Sequence, residues 1–253
     1  MKRLFCTLLF AISVQFLFAN QPYHFSHLSV KDGLSQLNVT CIYQDKLGYI
    51  WFGTRNGLNK FNGNSFEVYW NHADDPHSIS SNIINCMAED AEGNLWIGAA
   101  SEGLFAYTPQ GDSLKNISTK ELKGNWVNDI IERDHKLYIA SYNRGLLIYD
   151  LQQQAVVRSF QQNSESLPIP SNRIRKVHID RKGNIWLGND THGVYVIKHD
   201  PAEVVCYNTR NGLSNNNVRC INESPSGEIW IGTFDGLNIL CLLYTSDAAD
   251  DMQ

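Results

Sequence analysis

The sequence lacks the charge pattern of a protein that binds nucleic acid or a membrane surface. It has 21 Lys and Arg against 26 Asp and Glu, a formal net charge of −5, and no cluster of basic residues. A mildly acidic chain of this kind offers no electrostatic surface for nucleic acid or anionic lipid. Beyond about residue 20 no long apolar run occurs, so no second membrane segment is expected.

Motifs for common catalytic chemistry are missing as well. The chain has no Gly-rich phosphate loop, no Cys/His set with metal-ligand spacing and no Gly-x-Ser-x-Gly elbow. His72 and His77 are separated by a loop that contains a proline, which favours a solvated connector over a metal site. The sequence therefore predicts no catalytic residue, no metal site and no cofactor.

Residues 1–20 have the pattern of a secretory signal peptide. Lys2 and Arg3 supply the positive start, Leu4 to Phe18 are mostly apolar, and Ala19 gives a small residue for cleavage. An uncleaved anchor is the alternative, but a bilayer span needs about 20 apolar residues, more than this stretch has. We expect export, with residues 21–240 forming the folded region.

A repeat dominates residues 21–240. A Trp-x-Gly segment occurs four times, and a fainter copy has Tyr138 in place of Trp and Ala140 in place of Gly. The full copies are Trp51 with Gly53, Trp96 with Gly98, Trp186 with Gly188, and Trp230 with Gly232. Successive aromatic residues lie 42 to 48 positions apart. Such periods are typical of arrays in which one supersecondary unit packs on its neighbours.

Each repeat predicts a small antiparallel sheet. A β-rich run is followed by a polar turn, the Trp-Gly strand, a third strand and, in three units, a less regular fourth strand at residues 65–70, 155–160 and 203–208. Four strands per repeat predict an all-β propeller, with about five units present out of an expected seven. The residues 23–28 resemble a fourth strand that precedes the first unit.

Three residue types recur at fixed repeat positions. Asp45, Asp90 and Asp180 open the polar turns, where the carboxylate bonds backbone amides, and a catalytic pair would not recur in this way. The Trp and Gly residues are interpreted as packing devices, with the Gly making room for a ring of the next sheet. Three cysteines, Cys41, Cys86 and Cys220, precede the Trp by ten residues and are predicted to be buried free thiols.

Residues 241–253 break the repeat. Their first ten residues resemble the in-frame translation of a transposon-end adapter used in sequencing libraries. We expect this tail to be an assembly artefact and the natural protein to be longer; a divergent natural tail is the alternative.

The first unit carries a family resemblance. It resembles the two-component-regulator propeller repeat, which builds the periplasmic sensor region of hybrid histidine kinases in Bacteroidetes. The matching residues are Asp32 to Gln36, Val39, Ile42, Asp45, Gly48, Ile50 to Thr54, Gly57 to Asn59, Phe61 and Gly63.

The resemblance implies a non-catalytic, N-terminal part of a membrane-anchored histidine kinase. In that family, propellers of seven blades precede an immunoglobulin-like domain, a membrane helix and a kinase core, which this chain lacks. The resemblance further implies a periplasmic location, an oligosaccharide ligand, control of polysaccharide-use genes, a homodimer in the full-length sensor, and membrane attachment only through the later parts.

Ligand contacts are expected on the loops of one propeller face. These loops vary while the strands repeat, and such variation is where a site is grafted onto a fold. Aromatic side chains there would stack on sugar rings, and arginines would hold a carboxylate or sulfate. The candidate residues are Trp126, Tyr142, Phe234, Arg55, Arg144 and His192.

Two other functions stay open. A secreted propeller lyase or glycosidase would need a unique cluster of carboxylate, His or Tyr residues in the central funnel, and no unit shows such an outlier. A freestanding carbohydrate-binding protein is the third reading.

Overall fold

The computed structural model describes residues 24–240, apart from residues 73, 76, 102, 118 and 166. The described residues form nineteen β-strands in five antiparallel sheets, with no α-helix among them. The predicted signal peptide (residues 1–20) and the predicted artefact tail (residues 241–253) lie outside the described residues.

Within each sheet the strands are adjacent in chain order. The first sheet contains β1 (Val39–Gln44), β2 (Ile50–Thr54), β3 (Gly57–Phe61) and β4 (Phe66–Tyr69). The second contains β5 (Ile84–Glu89), β6 (Leu95–Ala99), β7 (Gly103–Thr108) and β8 (Ser113–Ile117). The third contains β9 (Val127–Arg133), β10 (Lys136–Ser141), β11 (Leu146–Asp150) and β12 (Ala155–Phe160). The fourth contains β13 (Ile174–Ile179), β14 (Ile185–Asn189), β15 (Val194–Ile197) and β16 (Val204–Tyr207). The fifth contains β17 (Val218–Glu223), β18 (Ile229–Thr233) and β19 (Gly236–Leu240).

The sheets follow one another like the blades of a propeller. The first strand of each sheet packs on the first strand of the next, from β1 through β5, β9 and β13 to β17. Four apolar clusters lie between consecutive sheets and bury the core. The predicted all-β propeller of about five units is confirmed, whereas its origin from a seven-bladed propeller stays a prediction.

Hydrogen bonds explain why Asp and Trp recur six residues apart. In three sheets the indole Nε1 of Trp donates to Oδ2 of the turn Asp over 2.8 Å. The pairs are Trp51 with Asp45, Trp96 with Asp90, and Trp186 with Asp180. The other carboxylate oxygen accepts backbone amides of the turn, such as Tyr49 N at 2.9 Å from Asp45 Oδ1. One carboxylate thus fixes both the turn and the ring of the following strand.

The glycine that follows each tryptophan allows two sheets to approach closely. A Cβ atom at Gly53 would lie 2.8 Å from Cγ2 of Ile84, and one at Gly98 would lie 2.5 Å from Cγ1 of Val127. Both neighbours start or adjoin the first strand of the next sheet. The prediction that an aromatic ring fills this space is wrong, because an aliphatic side chain fills it.

The cysteines at the shared repeat position differ in burial. The four described cysteines are free. Cys86 is buried and Cys41 is half-buried; burial raises the pKa of the Cys41 thiol to about 11 and raises the pKa of the Cys86 thiol well above its ordinary value. Cys220 is exposed, because no sheet within the described part packs on its side of the fifth sheet. The prediction of a buried thiol is therefore wrong for Cys220.

The two outermost sheets each leave an apolar face open in the described part of the chain. Trp230 of β18 is 40% exposed, in contrast to the buried Trp51, Trp96 and Trp186. The predicted extra strand at residues 23–28 is wrong for residues 24–28, which lie in no strand and expose Phe25. In the second sheet, β8 is a fourth strand that the sequence pattern did not predict.

Candidate functional site

The predicted binding residues lie at one end of the sheets, here called the loop face. It consists of the connections from the second to the third strand of each sheet and the connectors that enter the next sheet. Because consecutive strands are antiparallel, all of these connections lie at the same end of their sheets. The hairpins that join the first strand to the second, and the third to the fourth, lie at the opposite end, here called the hairpin end.

A polar residue at the end of the second strand shapes the loops of this face. Asn189 Oδ1 accepts the backbone amides of Thr191 and His192 at 2.8 and 2.9 Å. Ser141 Oγ accepts the amides of Asn143 and Arg144 at 3.2 and 3.0 Å. In the same way, the hydroxyl oxygens of Thr54 and Thr233 accept a backbone amide of the loop that follows them. These loops therefore hold their side chains on a fixed backbone.

Trp126 and Tyr142 form an exposed aromatic pair on the loop face. Trp126 directly precedes β9 and Tyr142 directly follows β10, and the amide of Tyr142 donates to the carbonyl of Trp126 over 3.0 Å. The ring centroids are 5.9 Å apart with an interplanar angle of 42°. The two side chains remain 46% and 37% exposed. Ring surface is thus available to a ligand.

Arg173 connects this pair to the fourth sheet. Its guanidinium carbon lies 4.7 Å from the centroid of the Tyr142 ring, a cation–π contact. Its Nη2 donates to Oδ2 of Asp190 over 2.6 Å, and the Asp190 carboxylate is 9% exposed. The amide of Asn189 also donates to the carbonyl of Arg173 over 2.7 Å. The four residues Trp126, Tyr142, Arg173 and Asp190 are called the loop-face cluster below.

The loop-face cluster has a defined chemistry. Its cation and its carboxylate neutralise each other, so that the group adds no net charge. Two aromatic rings are exposed beside it, and polar groups surround them. An aromatic platform with a few oriented polar groups suits a ligand that has apolar ring faces and hydroxyl groups.

The other predicted residues are spread over the loop face. Arg144 is half-buried, two residues after Tyr142, and its side chain has no ion pair or ring contact among the described residues. Arg55 is exposed in the loop of the first sheet. His192 is exposed and its Nδ1 lies 2.7 Å from Oγ1 of Thr191. Phe234 is exposed on the fifth sheet, with the guanidinium of Arg219 at 5.4 Å from its ring centroid. Only Trp126 and Tyr142 contact each other within the predicted set.

Sequence reasoning missed Arg173. It lies 31 residues after Tyr142 in the chain, in the connector that enters the fourth sheet. Its position directly before β13 matches that of Trp126 directly before β9. This shared position was the available signal, because both connectors enter the loop face.

The described residues show neither a metal-binding group nor a membrane-spanning helix. They contain no group of three or more His, Cys, Asp or Glu side chains arranged to hold a metal ion. No helix in that part of the chain is long and apolar enough to cross a membrane.

Four segments of the chain match the two component regulator propeller family, at residues 33–56, 78–101, 168–191 and 212–235. Each runs from the approach to a first strand to the loop that follows a second strand. The chain carries two-component regulator propeller repeats. The third sheet, in which Tyr138 replaces the repeat tryptophan, is not among the matched segments.

Three proteins that are similar to this chain are named as signalling proteins. A histidine kinase P4 of Formosa agariphila is 49% identical over 61 residues, which are 24% of this chain and 4% of that protein. The extracellular domain of a putative hybrid two component system of B. thetaiotaomicron is 26% identical, with a TM-score of 0.77 over 88% of this chain and 31% of that one. The extracellular domain of a putative one component system of B. thetaiotaomicron shares the fold, at 21% identity and a TM-score of 0.67 over 79% and 29% of the two chains.

The chain therefore spans less than a third of each of these relatives. The described residues form a propeller region similar to part of the extracellular domain of a putative hybrid two component system.

Proposed function

We propose that this propeller is the periplasmic ligand-sensing module of a hybrid two-component histidine kinase and that it recognises oligosaccharides. The hybrid two component system relative supports the sensor role, and the histidine kinase relative supports the output. The observation that carries the ligand class is the exposed Trp126–Tyr142 pair beside the paired Arg173 and Asp190.

The loop-face cluster favours a sugar over a simple anion. A small anion would find no free cation within the cluster itself, because Arg173 is already paired with Asp190 at 2.6 Å. Sugar rings present apolar C–H faces that stack on Trp and Tyr, and hydroxyls that reach nearby polar groups. Arg144 adds a cation two residues from Tyr142, which would favour sugars that carry a carboxylate or sulfate.

The cluster also offers a route from binding to signalling. Trp126 and Tyr142 belong to the third sheet, whereas Arg173 and Asp190 belong to the fourth. A ligand on the cluster would contact two sheets and favour their bound arrangement. Only such a difference in affinity between two arrangements can shift an equilibrium in the homodimeric, membrane-anchored sensor that we propose.

Calorimetry with the whole protein tests the proposal. Oligosaccharides of two to eight units, prepared from neutral, uronic and sulfated polysaccharides, are titrated into wild type and Tyr142→Ala. We expect at least one class to bind and Tyr142→Ala to bind it at least tenfold more weakly. Leu47→Ala is the matched control, because Leu47 is an exposed apolar residue on the opposite end of the first sheet.

Three results would contradict the proposal. Binding that is unchanged in Tyr142→Ala would remove the loop-face cluster from the site. Absence of binding across the panel would remove the ligand class. Degradation of the sugar by purified protein would favour the secreted-enzyme reading.

A further inference from the structure

A cavity lies between the third and fourth sheets, at the end opposite the loop face. It has a volume of ≈ 320 Å³. The residues that place it are Lys136 at the start of β10, Gly183 in the β13–β14 turn, and Lys198 and His199 in the β15–β16 connection. All of these positions are at the hairpin end of their sheets. The cavity is therefore separate from the loop-face cluster.

The weak third repeat places its variant aromatic residue against this cavity. In the first and fourth sheets the repeat tryptophan is fully buried and stacks on a tyrosine of the fourth strand, as Trp186 does on Tyr207 with centroids 6.2 Å apart. The third sheet has Tyr138 in the tryptophan position, and Tyr138 is only half-buried and lines the cavity. The repeat position of the third sheet thus contributes a phenol ring to the lining of the cavity.

A β-bulge adds to the departure from the repeat. The pairing of β11 with β12 shifts register between Ile148 and Tyr149, so that Ile148 faces Arg158 and Tyr149 faces Val156. The third and fourth strands of the first, second and fourth sheets pair without such a shift. Val157 and Arg158, next to each other in the chain, both line the cavity. Bulges re-aim side chains in this way and are common beside functional sites.

The lining combines an apolar floor with a basic rim. Ile148, Phe160, Ile185 and Ile197 supply hydrocarbon and aromatic surface. The ionisable side chains of the rim are Lys136, Arg158, Lys198 and His199, and the lining contains no Asp or Glu.

Two of these cations have no carboxylate partner in the described part of the chain. Lys198 is paired with Glu203 at 2.5 Å. Lys136 and Arg158 take part in none of the ion pairs between described residues. The Arg158 guanidinium carbon instead lies 4.5 Å from the Phe160 ring centroid. The two unpaired cations stand beside a hydrocarbon floor.

We propose that this cavity binds an aromatic carboxylate. The ring would rest on Ile148, Ile185 and Ile197, and the carboxylate would face Arg158 and Lys136. A volume of ≈ 320 Å³ is at the lower end of ligand sites, roughly 300–1,000 Å³, and suits a single ring with a short acidic arm. This site is independent of the oligosaccharide proposal, because it uses none of the four residues of the loop-face cluster.

Fluorine NMR with 4-fluorobenzoate measures binding directly on the whole protein. We expect line broadening that saturates with protein concentration, and competition by benzoate. Neutral 4-fluorobenzamide, which has the same shape without charge, should bind at least tenfold more weakly. Glucuronate and sulfate, which carry charge without an apolar body, should not compete. Equal binding of the amide, or equal competition by glucuronate or sulfate, overturns the proposal, as does failure of 4-fluorobenzoate to bind.

Three variants locate the site. Arg158→Gln should weaken 4-fluorobenzoate binding about tenfold, as expected for the loss of a hydrogen bond to a charged group. Lys115→Gln, which removes an exposed cation from β8, should leave it unchanged. Tyr138→Trp places the larger ring of the other repeats in the lining and should weaken binding by reducing the space for the ligand. If Tyr138→Trp fails to fold, Arg158→Gln decides, because Arg158 is exposed and tolerates the change; unchanged binding in Arg158→Gln places the ligand elsewhere.

Discussion

The side-chain amide of Asn85 in β5 donates a hydrogen bond to the backbone carbonyl of Val127, 2.8 Å away at the start of the next sheet. Asn128 makes the same bond one sheet later, to the carbonyl of Ile174 over 2.7 Å. Thr40 occupies the equivalent position in β1 and donates to the carbonyl of Ile84 over 2.5 Å. A polar residue of β1, β5 and β9 thus joins each of these strands to the first strand of the next sheet, in addition to apolar packing.

Removal of one of these bonds should destabilise the propeller. Asn128→Ala leaves the carbonyl of Ile174 without its side-chain donor between two sheets, and we expect a loss of about 1–3 kcal/mol in the free energy of unfolding. Urea denaturation measures this change. Asn163→Ala, at an exposed turn position, is the control and should change stability by less than about 0.5 kcal/mol. Equal stability of the two variants would show that the inter-sheet bond adds nothing.

The cost of losing a repeat tryptophan should depend on whether a sheet covers it. Trp186→Ala removes a buried ring that donates to Asp180, and should cost about 3–5 kcal/mol. Trp230→Ala removes a ring that is 40% exposed, and should cost about 1–2 kcal/mol. Thermal melting of the two variants compares them directly. A similar loss in both would mean that the open face of the fifth sheet is covered in solution.

The repeat predicted the sheets because its recurring residues interact within a single hairpin. Asp180 and Trp186 are six residues apart and form a hydrogen bond within one hairpin. An Asp and a Trp that recur with this spacing therefore predict a turn followed by a strand. The third sheet was recognised from the fainter copy of the repeat, in which Tyr138 replaces Trp and Ala140 replaces Gly. β8 was missed because its sequence Ser-Leu-Lys-Asn-Ile has only two apolar residues, which are three positions apart and do not alternate with polar ones.

Features that depend on neighbouring sheets could not be predicted in the same way. Cys220 shares its repeat position with Cys86, but its exposure follows from what packs on the fifth sheet. Arg173 contacts Tyr142 across a sheet boundary, and no repeat spacing encodes that contact. The register shift that aims Val157 and Arg158 has no clear sequence signal, since β-branched and charged residues occur throughout such strands.

A second test of the loop-face cluster asks whether Arg173 faces the ligand. Asp190→Asn removes the charge that pairs with Arg173 but keeps an acceptor, so Arg173 gains free positive charge beside Tyr142. We expect affinity for sulfated or uronic oligosaccharides to rise relative to neutral ones, by about threefold or more. Calorimetry with matched charged and neutral oligosaccharides measures this ratio. An unchanged ratio would show that Arg173 does not face the ligand.

Stability should depend on pH through His178 of β13. Burial lowers the pKa of His178 below its ordinary value of about 6.5; Arg133 acts in the same direction, and Glu223 and Asp180 oppose it. Its Nε2 is buried without a hydrogen-bond partner in the described part of the chain. The neutral ring is therefore the form that the fold accepts.

The sign of the effect follows from proton binding. Between the lowered pKa of the folded protein and about 6.5, the unfolded chain binds more protons at this position than the folded one does. Stability contributed by neutral His178 is thus complete above about pH 6.5 and falls as the pH decreases through this window. Urea denaturation between pH 7.5 and 5 should show a smaller loss for His178→Gln than for wild type. His72→Gln, an exposed connector variant, should follow wild type; if His178→Gln also follows wild type, His178 is accessible to protons in the folded state.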